Sequence, residues 1–196
     1  MAGGNPKNGR KSNDFYPTPQ GTTRALLPVI DGIFPKQVWE PACGMGHMSR
    51  ILTEGGYDVT STDLIDRGFG SCVDFLRTSR PLAPAIVTNP PFNLAVDFIV
   101  HALSLLGVEH MALILPNNFW NVKRNVEVFE LLPPRAVLPM TWRLDTSGEG
   151  RPTLSFMWCI WSPVDIHMPA SAARVWPLTT NERRPGTLVS AELEEV

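Results

Sequence analysis

The chain has 196 residues, of which 43% are hydrophobic and 18% are charged, as expected for a globular protein with a single core. Its net charge of -2 argues against a nucleic-acid binder with a large basic footprint, although not against an enzyme that contacts nucleic acid locally. The 3 cysteines lie far apart, so we expect no disulfide framework, no metal site and a reducing, cytoplasmic setting. Because no apolar run approaches the roughly 18 residues of a membrane span and the polar N-terminus lacks the apolar core of a secretory signal, we expect no membrane association.

Helical and strand patterns alternate along the chain. The first 13 residues are polar and glycine-rich, and we expect a mobile arm at 1–13. The remaining patterns predict, in chain order, a helix at 20–30, a strand at 37–43, a helix at 46–56, strands at 57–63, 71–76 and 83–89, a helix at 93–107, a strand at 109–116, a helix at 125–132 and a strand at 152–162. This alternation predicts a mainly parallel, doubly wound α/β sheet. The last strand has no helix to return it in parallel, so we expect an antiparallel edge in a single domain at 14–176, followed by a poorly ordered tail at 177–196.

In an open α/β sheet, ligands bind beyond the carboxyl ends of the strands, so the residues that follow each predicted strand are the candidates for chemistry. The first such segment is EPACGMG at 40–46, in which Gly44 and Gly46 allow a tight turn that approaches a ligand closely. Taken alone, this turn is equally consistent with an ordinary βα loop. Glu40 disfavours a nucleotide pyrophosphate, because like charges repel, and favours a ligand with an ammonium or sulfonium group.

Carboxylates follow the next two predicted strands. Asp63 ends the second strand, 19 residues after Gly44, where an acid either accepts hydrogen bonds from ribose hydroxyls or caps a turn. A glycine turn and an acid at this spacing together favour an adenosine-type cofactor. Asp74 is placed to accept a hydrogen bond from the adenine amino group, and Phe75 packs either in the core or beside the adenine ring.

The segment Asn89-Pro90-Pro91-Phe92 lies between a buried strand pattern and a helical pattern. Proline lacks a backbone N–H but keeps its carbonyl, so this segment presents fixed acceptor oxygens, to which Asn89 adds its side-chain oxygen. Two acceptors can hold both hydrogens of an amino group, which localises the lone pair of its nitrogen and makes that nitrogen nucleophilic. Phe92 offers a face for stacking on a planar group. The alternative is a proline-rich turn in which Asn89 is a cap.

Together, EPACGMG, the acid after the second strand and NPPF resemble the S-adenosylmethionine-dependent amino-methyltransferases, and most of all the N6-adenine DNA methyltransferases. FYPTP at 15–19 is similar to the N-terminal cofactor-binding element of small phage and prophage members of that family. The resemblance covers roughly residues 14–120. It implies a Rossmann-like methyltransferase fold, S-adenosylmethionine as the cofactor, DNA as the partner with RNA as an alternative, and direct in-line transfer of a methyl group without a metal.

The resemblance also implies a role for each matching residue. The implied catalytic residues are Asn89, Pro90, Pro91 and Phe92. The implied cofactor-binding residues are Tyr16, Thr18, Glu40, Pro41, Gly44, Gly46, Asp63, Asp74, Phe75 and Asn89. The acceptors of Asn89 and Pro90 would hold the target amino group while Phe92 stacks on a flipped base. At the cofactor, Asp63 would bind the ribose hydroxyls and Thr18 the methionine end.

Other interpretations stay open at this point. The same acceptor geometry serves a base in RNA or a glutamine side chain, and an inactive cofactor-binding module would need no such acceptors. Glu40 and NPPF disfavour an NAD-dependent oxidoreductase. Only about 75 residues follow Trp120, which leaves little room for a recognition domain, and the oligomeric state is left open. The candidate substrate contacts are the loops near 117–124 and 140–152, the second of which contains Trp142, Arg143 and Arg151.

Overall fold

The computed structural model of the protein describes residues 18–144, 154–164 and 166. Several sequence-based expectations fall outside this part of the chain: the arm at 1–13, Tyr16, Arg151 and the tail at 177–196. They stay predictions, as do the domain limits of 14–176.

A seven-stranded sheet forms the centre of the described part of the chain. Its strands are β1 Gln37–Glu40, β2 Asp58–Asp63, β3 Ser71–Cys72, β4 Ala85–Thr88, β5 His110–Pro116, β6 Ala136–Leu144 and β7 Leu154–Trp161. They lie in the order β3-β2-β1-β4-β5-β7-β6. The first five strands of the chain are mutually parallel, whereas β7 runs antiparallel to both β5 and β6. The prediction of a mainly parallel α/β sheet with an antiparallel edge is therefore confirmed.

Helices cover both faces of this sheet. They are α1 Gln20–Ile30, α2 His47–Glu54, α3 Ala95–Val100, which continues as a π-helical turn at His101–Leu105, and α4 Lys123–Leu131, with short 3-10 turns at Phe75–Arg77 and Phe119–Asn121. Alternate residues of β5 belong to two apolar clusters, since Met111 and Leu113 pack with α3 and α4 whereas Ala112 and Ile114 pack with α1 and α2. The buried β5 pattern thus fixes a doubly wound arrangement. Within the described residues, no helix has the length and apolar character needed to cross a membrane.

The predicted strand at 71–76 is shorter in the structure. Strand β3 contains only Ser71 and Cys72, and a 3-10 turn begins at Phe75. The side chain of Asp74 accepts a hydrogen bond from the backbone N–H of Leu76 at 3.1 Å and so caps that turn. A residue that satisfies its neighbours in this way favours a turn over continued strand pairing.

Strand β6 was missed by the sequence analysis, and the substrate loop that we expected at 140–152 begins later because residues 140–144 belong to this strand. Pro139 lies inside β6, and an internal proline argues against a strand in a sequence pattern. It is tolerated here because β6 pairs only with β7 among the described strands, so that its other side needs no backbone donor.

Candidate active site

The carboxyl ends of β1, β2 and β4 point to the same edge of the sheet, which we call the carboxyl edge. The segments that follow these strands are the glycine turn at 41–46, the loop at 64–70 and the NPPF turn at 89–92. Parallel pairing of β1 with both β2 and β4 places the three segments side by side. The structure therefore brings together the main motifs that the sequence singled out.

Asp63 joins the end of β2 to the glycine turn. Its Oδ2 accepts a hydrogen bond from the backbone N–H of Gly44 at 2.8 Å, and its Oδ1 accepts one from the N–H of Ile65 at 3.0 Å. Gly44 has a φ of 55°, a left-handed conformation that favours glycine. Because each carboxylate oxygen has more than one lone pair, Asp63 can hold the turn and still accept hydrogen bonds from a ligand's hydroxyl groups.

The loop at 64–70 folds back onto the glycine turn, a contact that the sequence analysis missed. Gly46 has a φ of 76°, and a Cβ atom there would lie 2.3 Å from the ring of Phe69. The guanidinium of Arg50 lies 4.7 Å from the centre of the same ring. A signal was present, since Phe69 stands between two glycines, Gly68 and Gly70, which both adopt a positive φ. Gly46 is therefore required by close packing as well as by its backbone conformation.

An apolar side chain next to Asp63 was also missed. Leu64 is 59% exposed although it directly follows a site residue. An exposed leucine beside a candidate ribose-binding acid offers a surface for a planar ring. The signal in the sequence was the position of Leu64 immediately after Asp63.

Glu40 does not face open solvent at the carboxyl edge. It is only 2% exposed, and it accepts a hydrogen bond from the hydroxyl of Ser49 on α2, which in turn lies 2.6 Å from the hydroxyl of Ser61 on β2. Burial raises the pKa of Glu40 to about 8, with the Ser49 hydrogen bond acting in the opposite direction. In this structure Glu40 ties α2 to β1, and its contact with a cationic ligand stays a prediction.

The buried carboxyl of Glu40 should make stability depend on pH. In the folded protein its pKa is about 8, whereas in the unfolded chain it loses its proton near 4.5. The unfolded state is therefore increasingly favoured as pH rises between these values, and the free energy of unfolding should fall by at most about 1.4 kcal/mol per pH unit through this group. Glu40→Gln should remove this component, as measured by urea denaturation between about pH 5 and 8.5.

Glu54→Gln is the matched control for this prediction. Glu54 lies on the same helix as Ser49, but its side chain is 56% exposed and pairs with Arg24 at the surface. The control variant should keep the pH dependence of the wild-type protein. If the wild type and Glu40→Gln show the same dependence, the burial argument for Glu40 is wrong.

Asn89 contacts Thr18, the first residue that the structure describes. The side-chain nitrogen of Asn89 donates a hydrogen bond to the hydroxyl of Thr18 at 3.1 Å, across 71 residues of sequence. In this orientation the amide nitrogen lies on Thr18 and the amide oxygen is the acceptor. That oxygen is buried, so a target amino group reaches it only when the atoms that cover it move aside. Sequence reasoning assigned Thr18 to the cofactor and did not foresee this positioning contact.

The carbonyl groups of the NPPF turn differ in their engagement. The carbonyl of Pro91 accepts a hydrogen bond from Leu94 at 2.9 Å, and that of Phe92 accepts one from Ala95 at 3.4 Å, so both stabilise the start of α3. The carbonyl of Pro90 accepts no backbone hydrogen bond from the described residues. Of the two prolines, Pro90 is therefore the better candidate acceptor, and Pro91 fixes the turn.

The aromatic side chain of Phe92 is half-buried. Its ring centre lies 5.6 Å from that of Phe156 at the start of β7, with the two ring planes tilted by 38°. This contact connects the NPPF turn to the antiparallel part of the sheet and limits the orientations open to the ring. Stacking of Phe92 on a flipped base stays a prediction.

The two residues assigned to the adenine both have partners within the protein. Asp74, besides capping its turn, lies 3.3 Å from the guanidinium of Arg77. Phe75 is only 3% exposed and packs edge-on against Trp39 and at a tilt against Phe98. Of the two places that the sequence left open for Phe75, the structure shows the core. Contact of either residue with an adenine stays a prediction.

Comparisons with known proteins identify the fold. No protein-family model and no curated protein matches the sequence. The structure is similar to that of a candidate RNA methyltransferase from Pyrococcus horikoshii, with a TM-score of 0.60 and 14% identity over 80% of this chain and 93% of that one. It is also similar to a candidate class I S-adenosylmethionine-dependent methyltransferase from Listeria monocytogenes, with a TM-score of 0.57 and 13% identity over 84% of this chain and 66% of that one. The protein has the class I methyltransferase fold.

A third similar structure carries the same methyltransferase fold within a larger chain. It is a modification subunit of a candidate type I restriction enzyme from Vibrio vulnificus, with a TM-score of 0.56 and 13% identity over 77% of this chain and 45% of that one. At these identities the likeness establishes the fold and does not establish a substrate for this chain. Function must therefore be argued from the side chains at the carboxyl edge. Among the described residues, no group of three His, Cys, Asp or Glu side chains is arranged to hold a metal ion.

Proposed function

We propose that the protein transfers a methyl group from S-adenosylmethionine to the N6 amino group of adenine in DNA. The observation that carries the proposal is the orientation of Asn89, whose amide nitrogen is held by Thr18 so that its oxygen is the acceptor. The carbonyl of Pro90 is a second acceptor in the same turn. Two acceptors beside a glycine turn and an acid support amino-group methylation better than hydride transfer or simple binding.

The residues present fit S-adenosylmethionine as the cofactor. Gly44 adds no side chain between the turn and a ligand, whereas the space next to Gly46 is occupied by the ring of Phe69. The Asp63 carboxylate, fixed by Gly44 and Ile65, has lone pairs that can accept from the two ribose hydroxyls. Leu64 supplies an exposed apolar face next to that acid. We infer that the ribose lies at Asp63 and the methionine end near the glycine turn and Thr18.

The chain's own residues would act on the target by holding it. S-adenosylmethionine, when bound, supplies a methyl carbon that is electrophilic because it is attached to a sulfonium. The amide oxygen of Asn89 and the carbonyl oxygen of Pro90 would each accept a hydrogen bond from one N–H of the target amino group, which keeps the lone pair on nitrogen. That nitrogen would form the new N–C bond as the S–C bond breaks with its electron pair leaving on sulfur, and one N–H proton would pass to solvent. Positioning and exclusion of water supply the rate enhancement.

A nucleic-acid target is favoured over a protein amide by two observations. Phe92 lies at the end of the acceptor turn, where a planar base can stack. Among the similar structures, one is described as an RNA methyltransferase and another as a restriction-enzyme modification subunit, which supports a base as the target. The likeness to the first makes a base in RNA the second candidate.

The test is a labelling experiment with purified protein. Methyl-labelled S-adenosylmethionine would be incubated with unmethylated duplex DNA, single-stranded DNA, RNA and a protein extract in separate reactions. The nucleic acids would then be digested to nucleosides and analysed by mass spectrometry. We expect label in N6-methyladenine from DNA, and none when Asn89→Ala replaces the wild type.

The other outcomes replace parts of the proposal. Label in RNA alone would keep the mechanism and change the substrate to the second candidate. Label in protein glutamine alone would remove the nucleic-acid target. Absence of label in all four reactions, with cofactor binding demonstrated by calorimetry on the same preparation, would favour an inactive cofactor-binding module.

A further inference from the structure

Strand β6 contains a bulge where it reaches the carboxyl edge. Between Pro139 and Arg143, the pairing with β7 advances by four residues on β6 but by only two on β7. The strand therefore accommodates two extra residues within 140–142, and such bulges bend a strand and re-aim its side chains. Trp142 lies in this bulge.

Trp142 differs from the other described tryptophans in its exposure. It is 42% exposed, whereas none of the others exceeds 6%: Trp39, Trp120, Trp158 and Trp161. Burial of a large aromatic ring is among the most favourable contributions to folding, and Trp142 forgoes part of it. At the carboxyl edge, the exposed ring of Trp142 offers a face on which a base can stack.

The hairpin that carries Trp142 extends beyond the neighbouring strand. The last pair between β5 and β7 is Pro116 with Phe156, whereas β6 and β7 continue to pair at Arg143 and Leu144. Phe156 is also the residue that contacts Phe92 of the NPPF turn. The overhanging part of the hairpin therefore begins beside the acceptor turn and continues outward along the carboxyl edge.

The carboxyl edge carries two basic side chains that form no ion pair with any described residue. Among the described residues, Lys123 and Arg143 are exposed and form no salt bridge, whereas Arg124 pairs with Asp97 at 2.7 Å. The segments 117–124 and 136–144 contain no acidic residue, although the whole chain has a net charge of -2. The charge of these two segments thus complements a polyanion.

We propose that Trp142, Arg143 and Lys123 hold the nucleic-acid strand that flanks the target adenine, with Trp142 as the stacking surface for an unpaired base of that strand. The inference rests on the proposed function, since it supplies the strand-binding part of the same site. Exposed aromatic rings interleaved with basic side chains are the usual means of binding single-stranded nucleic acid.

The surface formed by Trp142, Arg143 and Lys123 lies some distance along the sheet from the site proposed for the target base. β6 lies three strand positions from β4, which corresponds to roughly 14 Å at the usual spacing of strands. Stacked nucleotides are spaced by about 3.4 Å along one strand, so Trp142 contacts a base several positions from the one held at Asn89. Trp142 should therefore affect binding of the polynucleotide and leave methylation of a bound adenine largely intact.

A second copy of the chain is a less suitable occupant of this edge. Strand addition requires a regular row of backbone donors and acceptors on an edge strand. In β6, Pro139 lacks a donor and the bulge interrupts the register just beyond it. Proline and bulges on an edge strand oppose pairing with another chain, whereas neither prevents side-chain contact with a nucleic acid.

The inference is tested with fluorescein-labelled, adenine-containing oligonucleotides, single-stranded and duplex, on the full chain. Trp142→Ala should raise the KM and the dissociation constant for the oligonucleotide by about tenfold, the effect of one lost stack, and Trp142→Phe should restore most of the loss. Arg143→Gln and Lys123→Gln should each lower the slope of log affinity against log salt concentration by about 1. Affinity for S-adenosylmethionine, measured by calorimetry, should not change in any of these variants.

Leu105→Ala and Arg80→Gln are the matched controls, because both side chains are exposed and both precede strands at the opposite edge of the sheet. They should bind and methylate the oligonucleotide as the wild type does. If Trp142→Ala also does so, the inference is wrong and the proposed function is unaffected. If the wild type binds S-adenosylmethionine but neither binds nor methylates any of the oligonucleotides, the proposed function is wrong. The inference, which rests on it, is then wrong as well.

Discussion

Replacement of Asn89 by alanine should lower kcat by about 10²- to 10³-fold, the loss expected when one preorganised hydrogen-bonding group is removed from the reacting atoms. The oxygen that is lost is the one oriented by Thr18, whose hydroxyl accepts from the Asn89 nitrogen at 3.1 Å. Affinity for S-adenosylmethionine should stay close to the wild-type value, because the glycine turn and Asp63 are unchanged. Single-turnover transfer of labelled methyl groups gives the first quantity and calorimetry the second.

Asn89→Asp is the informative companion to this variant. Aspartate keeps an acceptor oxygen at the same place, and the hydroxyl of Thr18 can donate to it where it accepted from asparagine. We therefore expect Asn89→Asp to retain much more transfer than Asn89→Ala. An alanine variant with unchanged kcat would contradict the acceptor role, and so would an aspartate variant as slow as the alanine variant.

The fold was predictable because its sequence signals are local and agree with one another. The buried pattern of β5, the glycine that ends the helix before it and the alternation of strands and helices each favour a parallel sheet. Once the strands are parallel, their carboxyl ends lie on one edge. Gly44 and Asp63, 19 residues apart, are then expected to be neighbours, and the structure places the Gly44 nitrogen 2.8 Å from the Asp63 carboxylate.

The parts that were missed depend on tertiary context. The internal Pro139 hid β6, because a sequence does not show which strand will be at an edge. The contact of Thr18 with Asn89 joins residues 71 positions apart, and no periodicity predicts where the start of α1 meets the sheet. The orientation of Glu40 was also hidden, since an acid at a strand end faces either a ligand or the helix behind it. In this structure Glu40 faces the helix, because its carboxyl accepts a hydrogen bond from Ser49, whose hydroxyl lies beside that of Ser61.

The burial of Glu40 and the contact of Thr18 with Asn89, which the sequence analysis did not predict, have different consequences for the proposed methyl transfer. Burial of Glu40 removes the simplest reason for expecting a cationic ligand at the glycine turn, so the cofactor proposal depends more heavily on Asp63. The contact of Thr18 with Asn89 has the opposite effect, because in this structure it occupies the amide nitrogen and leaves the oxygen as the acceptor that methyl transfer requires. The experiments on these two carboxylates and one amide therefore test separate steps of the argument.

Replacement of Asp63 by alanine should raise the dissociation constant for S-adenosylmethionine by roughly 10- to 100-fold, the cost of one lost pair of hydrogen bonds to a charged acceptor. Two contributions add, since the variant loses the proposed acceptor for the ribose hydroxyls and also frees the N–H groups of Gly44 and Ile65. The second contribution loosens the glycine turn on which the cofactor would lie. Calorimetry measures the affinity, and a thermal melt reports the loss of the turn's two hydrogen bonds.

Asp66→Ala separates a specific role of Asp63 from a general effect of negative charge on this loop. Asp66 is exposed and accepts a hydrogen bond from the N–H of Gly68 at 2.9 Å, so its removal also perturbs a turn close to the site. It lies beyond the end of β2 and does not bind the glycine turn. Asp66→Ala should therefore keep the wild-type affinity for S-adenosylmethionine. Equal losses in the two variants would indicate long-range charge, and an unaltered affinity in Asp63→Ala would show that the ribose lies elsewhere.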